Sequence, residues 1–442
     1  MAEIVPSAIE QELLGIKNLL WGNEIKDDIF KRWSQGFYFS IKEKCALEQL
    51  EGGPCAIIAP VEAFILKNLL LEYKDMSFRE KVDTGIQNRA LVNALSEILG
   101  QCNSRKYYIV YLDSQMSDPV SEEIKDGEKS DNIPGRQDPS VEIDPFRFHE
   151  QLRVQSFHCI DDVNKYYFEN ISKLKAHYGV LLFLYSVIAS KGLDQVKSES
   201  DTREPLIDGT YGYGSQNLIN LMITGRATTY VWDHDQDIGG LILKGVEKQS
   251  QIGFITIMEY HRYCTVGSFY KNPIHPVWVV ASDTHLTVIF SDERKLVSPE
   301  TKSEKARRIF KSFDPDGNNF ISSDKLQDVL SSLELVSETE YVNIMKKKLD
   351  AESLGIILLN AFMDEFFPKE ESSIPDMFTL THYNGLAQSN VSGQVQFHIG
   401  SAILLESDIK SVCESNPMLT VLQTKWPNIE VNWCDNVTPS LN

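Results

Sequence analysis

The sequence predicts an α+β fold with a helical insertion, and three features support this prediction. Helical patterns dominate the first half of the 442 residues. Strand-like runs, rich in β-branched and aromatic residues, gather at 277–290 and again after residue 378. Between these runs, after residue 300, the composition changes to alternating helices and loops. We therefore expect a sheet whose strands are separated in sequence by an inserted helical module.

The first long helix is predicted to begin at Cys55, directly after the turn Gly52-Gly53-Pro54, and to run to about Tyr73. Unpaired amides at a helix start stabilise an anion and can lower a thiol pKa from about 8.5 into a range of roughly 3.5–7.5. Cys55 is therefore the predicted nucleophile, with a lowered pKa. Gln49 lies upstream across the turn, so its side-chain amide and the Cys55 backbone amide could form an oxyanion hole.

The next elements follow from periodicity and turn signals. Residues 113–144 have almost no large apolar side chains, so we expect a disordered acidic insertion there. Ser215 is predicted to cap the last helix of this part. The predicted elements are helix Glu80–Leu99, strand Lys106–Leu112, helix Asp161–Lys175, a buried helix at Val180–Ile188 and helix Gln216–Ile223.

His285 is the predicted general acid/base among the nine histidines, because it lies between the strands Val277–Val280 and Leu286–Phe290. A cysteine followed much later by such a histidine is the chain order of papain-like folds. A third group should orient the imidazole. Asp283 and Asn384 are both candidates, although Asn384 could instead belong to a hairpin turn.

The insertion contains two segments with the spacing of calcium loops, beginning at Asp314 and Asp350. Their equal spacing predicts a paired EF-hand-like unit whose short strands meet at Ile321 and Ile357. The twelfth position, which should supply a bidentate Glu, is Lys325 in the first loop and Ala361 in the second. This difference favours a packing module without metal over a calcium site.

Strand-like pieces return near the end of the chain and are expected to complete the first domain's sheet. The predicted division is 1–299 for the main part of the catalytic domain, 300–372 for the insertion and 373–442 for the completing strands. These pieces are Phe378–Tyr383, Val395–Ile399, Ala402–Leu405 and Ile429–Trp433.

Composition excludes several classes of protein. With 63 acidic and 43 basic residues, the net charge of −20 argues against nucleic-acid binding and favours a basic protein partner. No signal peptide and no run of about 18 apolar residues is present, so no membrane association is expected. The seven cysteines include no C-x-x-C pair, so we expect free thiols, no metal and no cofactor.

Several segments, spread over nearly the whole chain, together resemble the MINDY deubiquitinases, most of all their third subtype with an EF-hand-like insertion. They are Leu47-Glu48-Gln49-Leu50-Glu51-Gly52-Gly53-Pro54-Cys55-Ala56, Tyr185 with its preceding apolar run, Gly214-Ser215-Gln216-Asn217-Leu218-Ile219-Asn220-Leu221, Thr224-Gly225-Arg226-Ala227, Thr284-His285-Leu286-Thr287-Val288 and Gln423-Thr424-Lys425-Trp426-Pro427.

The resemblance implies a papain-like cysteine peptidase that cleaves isopeptide bonds in polyubiquitin, with preference for chains joined through the forty-eighth residue of ubiquitin. It implies Cys55 as nucleophile, His285 as general acid/base and Gln49 as oxyanion donor. It further implies a monomer in the nucleus, the cytoplasm or both. Residues near the groove for ubiquitin's tail would be Ser215, Gln216, Thr224 and Gly225.

Two other readings stay open. A non-catalytic ubiquitin-binding or scaffold protein would retain the fold without an assembled site, and it would not react with a ubiquitin C-terminal electrophile. A cysteine hydrolase or transglutaminase-like enzyme acting on other amides would react with general thiol reagents and not with ubiquitin probes.

Overall fold

The computed structural model describes residues 8–113, 143–299, 301–314, 317–369, 373–405 and 416–442. They form two compact units, one of Met1–Glu293 with Met377–Asn442 and one of Arg294–Asp376. The boundaries predicted at 299/300 and 372/373 lie a few residues away from these. The predicted acidic insertion lies outside the described residues, except for its end residues 113, 143 and 144.

Helices form most of the first part of the larger unit, and several are no longer than one or two turns. In chain order they are α1 (Ala8–Trp21), α2 (Asp27–Trp33), α3 (Cys55–Tyr73), α4 (Phe78–Lys81), α5 (Thr84–Gln101), α6 (Pro145–Glu150), α7 (Ile160–Glu169), α8 (Ile171–Lys175), α9 (Gly179–Lys191), α10 (Leu193–Glu199), α11 (Gln216–Thr224), α12 (Ile257–Tyr260) and α13 (Ser268–Lys271), with α18 (Pro417–Gln423) following the insertion.

A six-stranded sheet completes the larger unit, in the spatial order β14-β13-β12-β9-β8-β7. All neighbours pair antiparallel except β7 and β8, which are parallel. The pairing of β9 with β12 joins strands from before and after the insertion, which confirms that the late strands complete this sheet. The strands are β7 (Gly253–Thr256), β8 (Val277–Ala281), β9 (Leu286–Phe290), β12 (Met377–Tyr383), β13 (Phe397–Leu404) and β14 (Ile429–Trp433).

Three two-stranded ribbons lie outside this sheet in the same unit. They are β1 (Tyr38–Phe39) with β2 (Leu47–Glu48), β3 (Tyr107–Leu112) with β4 (Leu152–Phe157), and β5 (Gln236–Ile238) with β6 (Leu241–Leu243). The fold of the chain is therefore α+β, as the sequence predicts.

Helix α3 is buried on all sides, which is typical of a core helix. It packs against α5 and α11 and against the sheet strands β8 and β9. Two of its charged side chains are enclosed: Glu62 accepts a hydrogen bond from the Leu47 amide at 2.9 Å, and Lys67 pairs with Glu97. Glu72, near the end of the helix, is exposed. Burial raises the pKa of Glu62. These contacts connect the middle of α3 to the β2 strand and to α5.

The smaller unit consists of α14 (Lys302–Ser312), α15 (Leu326–Ser332), α16 (Thr339–Leu349) and α17 (Leu359–Phe366), with the short strands β10 (Phe320–Ser322) and β11 (Ile356–Leu358). Ile321 is paired with Ile357, which confirms the predicted meeting of the two loops. Asp314 accepts hydrogen bonds from the Asn318 and Asn319 amides, and Asp350 does the same for Leu354 and Gly355. The first carboxylate of each loop therefore holds its own loop backbone.

Several predicted elements are confirmed closely, and others are divided. Helix α3 has the predicted bounds, and Ser215 caps α11 by accepting from the Leu218 amide at 3.3 Å. The prediction of a single helix over 80–99 is wrong. Asp83 separates α4 from α5, because its side chain caps α5 by accepting from the Ile86 amide. The helix predicted over 161–175 is interrupted at Asn170.

The hairpin turn suggested at Asn384 is wrong. Strands β12 and β13 do pair, but the connection between them extends from residue 384 to residue 396. The two short strands predicted at 395–399 and 402–405 form one continuous strand, β13. In the described part of the chain, no single helix is long and apolar enough to cross a bilayer; α9 and α10 pass that test only as a pair bent by 83°.

The paired isoleucines of the smaller unit give a test of its packing. Ile357 is fully buried, so Ile357→Ala should reduce the local stability by about 2–5 kcal/mol. We expect faster hydrogen exchange of the amides in 320–322 and 356–358. Leu358→Ala is the matched control, because Leu358 is on the same strand and 53% exposed. Equal acceleration in both variants would contradict this packing.

Candidate active site

The turn before α3 requires glycine at its second position. Gly53 has φ +134°, and a Cβ there would lie 2.9 Å from Trp33 Nε1 and 3.2 Å from the Gly212 carbonyl oxygen. Pro54 then begins the helix, and its carbonyl oxygen accepts from the Ile57 amide at 2.9 Å. The sequence Gly-Pro-Cys therefore places Cys55 at the first position of a buried helix.

The pKa of the Cys55 thiol is raised in this structure, contrary to the expectation of a lowered pKa. Cys55 is 4% exposed, and its Sγ donates to the Gly53 carbonyl oxygen at 3.7 Å. Burial raises the thiol pKa to about 11, although backbone hydrogen bonding by Leu286 and Ala56 acts in the opposite direction. The helix start is present as predicted, but desolvation of the anion outweighs it.

The predicted base directly precedes the strand that packs against this helix. Leu286, whose backbone interacts with the Cys55 sulfur, is the first residue of β9 and directly follows His285. Within the described residues, Sγ makes no hydrogen bond to the imidazole. The structure thus brings Cys55 and His285 into one site without joining them.

Asn384 holds the imidazole. Its Oδ1 lies 3.0 Å from His285 Nε2, and both residues are buried. Burial lowers the pKa of His285 to about 4, and the hydrogen bond to Asn384 partly opposes that shift. Asp283, the other candidate, is exposed. The geometry therefore favours Asn384 as the third member of the site.

The backbone at Asn384 is held by a second asparagine that the sequence did not single out. Asn390 Nδ2 donates to the carbonyl oxygens of Asn384 and Leu386, at 3.0 and 2.8 Å. Its Oδ1 lies 3.1 Å from His398 Nε2. No motif marks Asn390, because its role depends on how the long 384–396 connection folds back on itself.

Gln49 lies beside the same connection. Its backbone amide donates to the Gly385 carbonyl oxygen at 2.8 Å, and its side chain is 2% exposed. The side-chain Nε2 donates to the Glu51 carbonyl oxygen at 2.7 Å. Gln49 is therefore within the site, and its amide is occupied by the neighbouring backbone.

The four predicted groove residues lie at opposite ends of α11. Ser215 caps its start and Gln216 donates to Asn220 Oδ1, close to where Gly214 packs on Ala56. Thr224 and Gly225 end the helix, and Gly225 packs against the backbone of Gln101. Only the first pair is near the turn that carries Cys55.

A loop with two tyrosines lies against that turn. Arg32 donates to the carbonyl oxygens of both Gly52 and Tyr211, at 3.4 and 3.0 Å. Trp33 Nε1 donates to the Gly212 carbonyl oxygen at 2.9 Å. Tyr211 and Tyr213 are stacked with ring centroids 5.8 Å apart, and Tyr211 is 63% exposed. The sequence identified this glycine-rich stretch only as a flexible loop.

No metal-binding cluster accompanies these residues. In the ranges that the structure describes, no three His, Cys, Asp or Glu side chains are grouped so that they could hold an ion. The site consists of one thiol, one imidazole and several amides, which are the functional groups that acyl transfer to a thiol requires.

Comparison with known proteins agrees with this chemistry. The family model described as "Deubiquitinating enzyme MINDY-3/4, conserved domain" matches residues 17–311, more than half of the chain. The chain belongs to the MINDY deubiquitinase family. Membership confirms the resemblance found in the motifs, and with it the enzyme class, a deubiquitinating hydrolase.

Curated MINDY proteins align over nearly the whole chain. "Ubiquitin carboxyl-terminal hydrolase MINDY-3 homolog" of Drosophila melanogaster is 52% identical over 98% of this chain and 83% of that protein. "Ubiquitin carboxyl-terminal hydrolase MINDY-3" is 43% identical in Xenopus tropicalis, over 98% of this chain, and 44% identical in Homo sapiens, over 99%; both alignments cover 100% of the relative. No solved structure matches the chain.

The raised thiol pKa predicts slow alkylation of Cys55 in the free enzyme. The thiolate is the reactive form, so with a pKa of about 11 the labelling rate should still be rising at about pH 10. The measurement is a time course of iodoacetamide labelling followed by peptide mass spectrometry. Exposed Cys159 and Cys434 are the internal controls and should be labelled first. Preferential labelling of Cys55 near neutral pH would contradict the protonated resting state.

Proposed function

We propose that this chain hydrolyses isopeptide bonds in polyubiquitin, with Cys55 as nucleophile, His285 as general acid/base, Asn384 as the residue that positions the imidazole and Gln49 as oxyanion donor. One observation carries the proposal. The backbone of Leu286 interacts with the Cys55 sulfur, while the preceding residue, His285, is held at Nε2 by Asn384. Cysteine and histidine from distant parts of the sequence thus share one buried site.

The reaction begins when Nδ1 of His285 takes the thiol proton and Sγ bonds to the carbonyl carbon of ubiquitin's last glycine. The carbonyl π electrons move to oxygen, which the Cys55 amide and Gln49 Nε2 stabilise. The C–N bond to the lysine amine then breaks, and the imidazolium gives its proton to that nitrogen. Water then attacks the thioester carbonyl carbon while His285 accepts one of its protons, the C–S bond breaks, and the imidazolium returns that proton to Sγ. Ubiquitin leaves with a free C-terminal carboxyl group, and the Cys55 thiol is restored.

The resting geometry must change before the first step. Sγ is hydrogen-bonded to Gly53 and Gln49 Nε2 to Glu51, so neither group is directed at a substrate. Catalytic hydrogen bonds often tighten only in the substrate complex. We propose that the tail of ubiquitin breaks these two local contacts when it enters, which brings thiol and imidazole together and lets the ion pair form.

The substrate specificity is proposed to be mainly steric. Ubiquitin's tail ends in two glycines preceded by arginines, and a narrow passage at Cys55 would admit only a glycine at the cleavage point. The exposed ring of Tyr211, fixed beside the Gly52 turn through Arg32, is a suitable wall for that tail. A net charge of −20 would speed encounter with the arginines.

The finer assignments belong to the same proposal. A papain-like fold is supported by the position of Cys55 at the start of α3 and by the packing of α3 on the antiparallel strand β9, which directly follows His285. The Ile321–Ile357 pairing supports an EF-hand-like module, and the missing twelfth-position carboxylates support its being free of metal. The family resemblance supports the preference for chains joined at the forty-eighth residue, a monomeric state and a nuclear or cytoplasmic location.

The proposal predicts that Cys55→Ala and His285→Ala abolish cleavage of ubiquitin chains of defined linkage and length. Gln49→Ala should lower kcat by about 10²–10³-fold, because it removes one oxyanion donor. The measurement is a gel-based cleavage time course, with thermal unfolding to verify folding. Cys159→Ala and His261→Ala are matched controls, because both residues are exposed and should keep wild-type rates. Cleavage by Cys55→Ala at the wild-type rate would refute the assignment.

The open choice between Asn384 and Asp283 has its own test. Asn384→Ala removes the acceptor at Nε2, so kcat should fall within the ~10²–10⁴-fold contribution of general acid–base catalysis. Asp283→Ala alters an exposed side chain in the same region and should leave kcat within about twofold of wild type. A large loss in Asp283→Ala with normal Asn384→Ala would reverse the choice. Steady-state kinetics on the same ubiquitin chains measure both.

A further inference from the structure

The last described residues, 439–442, form a short segment seated against the imidazole side of the site. Pro439 and Leu441 are buried, whereas Ser440 and Asn442 between and beyond them are exposed. Leu441 is only 4% exposed. Ser440 Oγ accepts from the Asn442 amide at 3.1 Å and donates to the Asn442 carbonyl oxygen at 2.7 Å, so the segment also holds its own shape.

This 439–442 segment contacts the residue that holds the imidazole. Asn384 Nδ2 donates to the Ser440 carbonyl oxygen at 3.1 Å and to the Asn442 carbonyl oxygen at 3.5 Å. Backbone carbonyl groups can only accept hydrogen bonds. They therefore fix which end of the Asn384 amide faces the segment: it must be the nitrogen.

The segment also contacts the turn that carries His285. Asn442 Oδ1 accepts from the hydroxyls of Ser282 and Thr284. Ser282 Oγ in turn accepts from the His285 backbone amide at 3.0 Å. The 439–442 segment thus holds both the side-chain amide of Asn384, which faces the imidazole, and the backbone of His285.

The orientation of the Asn384 amide decides which imidazole nitrogen carries the proton. With Nδ2 on the segment, Oδ1 faces His285 Nε2 and also accepts from the Leu386 amide at 3.0 Å. An acceptor at Nε2 requires a hydrogen on Nε2, so in the neutral ring Nδ1 is the unprotonated base. A reversed amide would stabilise the opposite tautomer, which has no lone pair at Nδ1 for the thiol proton.

We propose that the 439–442 segment is a positioning element that selects the base-competent tautomer of His285 by orienting the Asn384 amide. This inference rests on the proposed function, in which Nδ1 takes the proton of Cys55. Among the described residues, the hydrogen bonds of the segment toward the imidazole run through Asn384 and the 282–285 turn, so its role is to support the site.

The test replaces the buried anchor. Leu441→Asp should unseat the segment, lower kcat at least about tenfold and leave KM within about twofold, because the effect reaches a base and not a binding surface. Val437→Asp is the matched control: it adds the same charge to the same stretch at a side chain that is 40% exposed, and it should keep the wild-type kcat. Leu441→Ile should restore activity.

A second readout is independent of turnover. Nitrogen-15 NMR of histidine-labelled protein distinguishes the two neutral tautomers. His285 should have its proton on Nε2 in the wild type and in Val437→Asp, and populate both tautomers in Leu441→Asp. Asn442→Ala removes only an exposed acceptor, so it keeps the fold and should lower kcat a fewfold while weakening the Nε2–H signature.

The outcomes separate the two proposals. If the wild type does not cleave ubiquitin chains, the proposed function fails, while the NMR comparison still tests the tautomer. If Leu441→Asp and Asn442→Ala both keep the wild-type kcat and an undisturbed Nε2–H signal, the positioning role is wrong. If Leu441→Asp unfolds, Asn442→Ala decides the question by itself.

Discussion

The chemistry of this molecule depends on the packing of the first turn of α3 against the start of β9. Gly53 lets the chain pass between Trp33 and the Gly212 carbonyl, which delivers Cys55 to the helix start. On the sheet side, the backbone of Leu286 interacts with the sulfur, and Leu286 directly follows His285 in the chain. A side chain added to the turn would therefore move Cys55, the proposed nucleophile, away from the strand that follows His285.

That packing also explains the raised pKa of the Cys55 thiol. A helix start contributes roughly 0.3–2 kcal/mol to an anion near it. Full burial can shift a pKa by up to about 3–5 units, at 1.36 kcal/mol for each unit. With Cys55 almost without exposed surface, burial dominates, and only an arriving positive partner such as the His285 imidazolium can reverse the balance. Resting and reacting states of the site therefore differ in the position of one proton, which lies on Sγ in the first and on His285 in the second.

The sequence predicted well what depends on local patterns. Cys55 at a helix start, the Ser215 cap and the pairing of Ile321 with Ile357 follow from turn chemistry and periodicity. It predicted less well what depends on long connections. From the sequence alone Asn384 resembles a hairpin-turn residue, and only the pairing of β12 with β13 shows its place beside His285. No sequence motif marks Asn390 or Leu441. The prediction of a lowered pKa for Cys55 was wrong, because the burial of the thiol depends on the tertiary fold and no local motif shows it.

The enclosure of Cys55 also has a consequence for its survival between catalytic cycles. Peroxide oxidises exposed thiolates first to sulfenic acid and then to sulfinic acid. Ordinary thiols cannot reduce the sulfinic acid. Cys55 is 4% exposed and burial raises its thiol pKa, and both features slow that reaction. Oxidants would instead meet Cys159 and Cys434 at the surface, so the enzyme's idle form is also its chemically durable one.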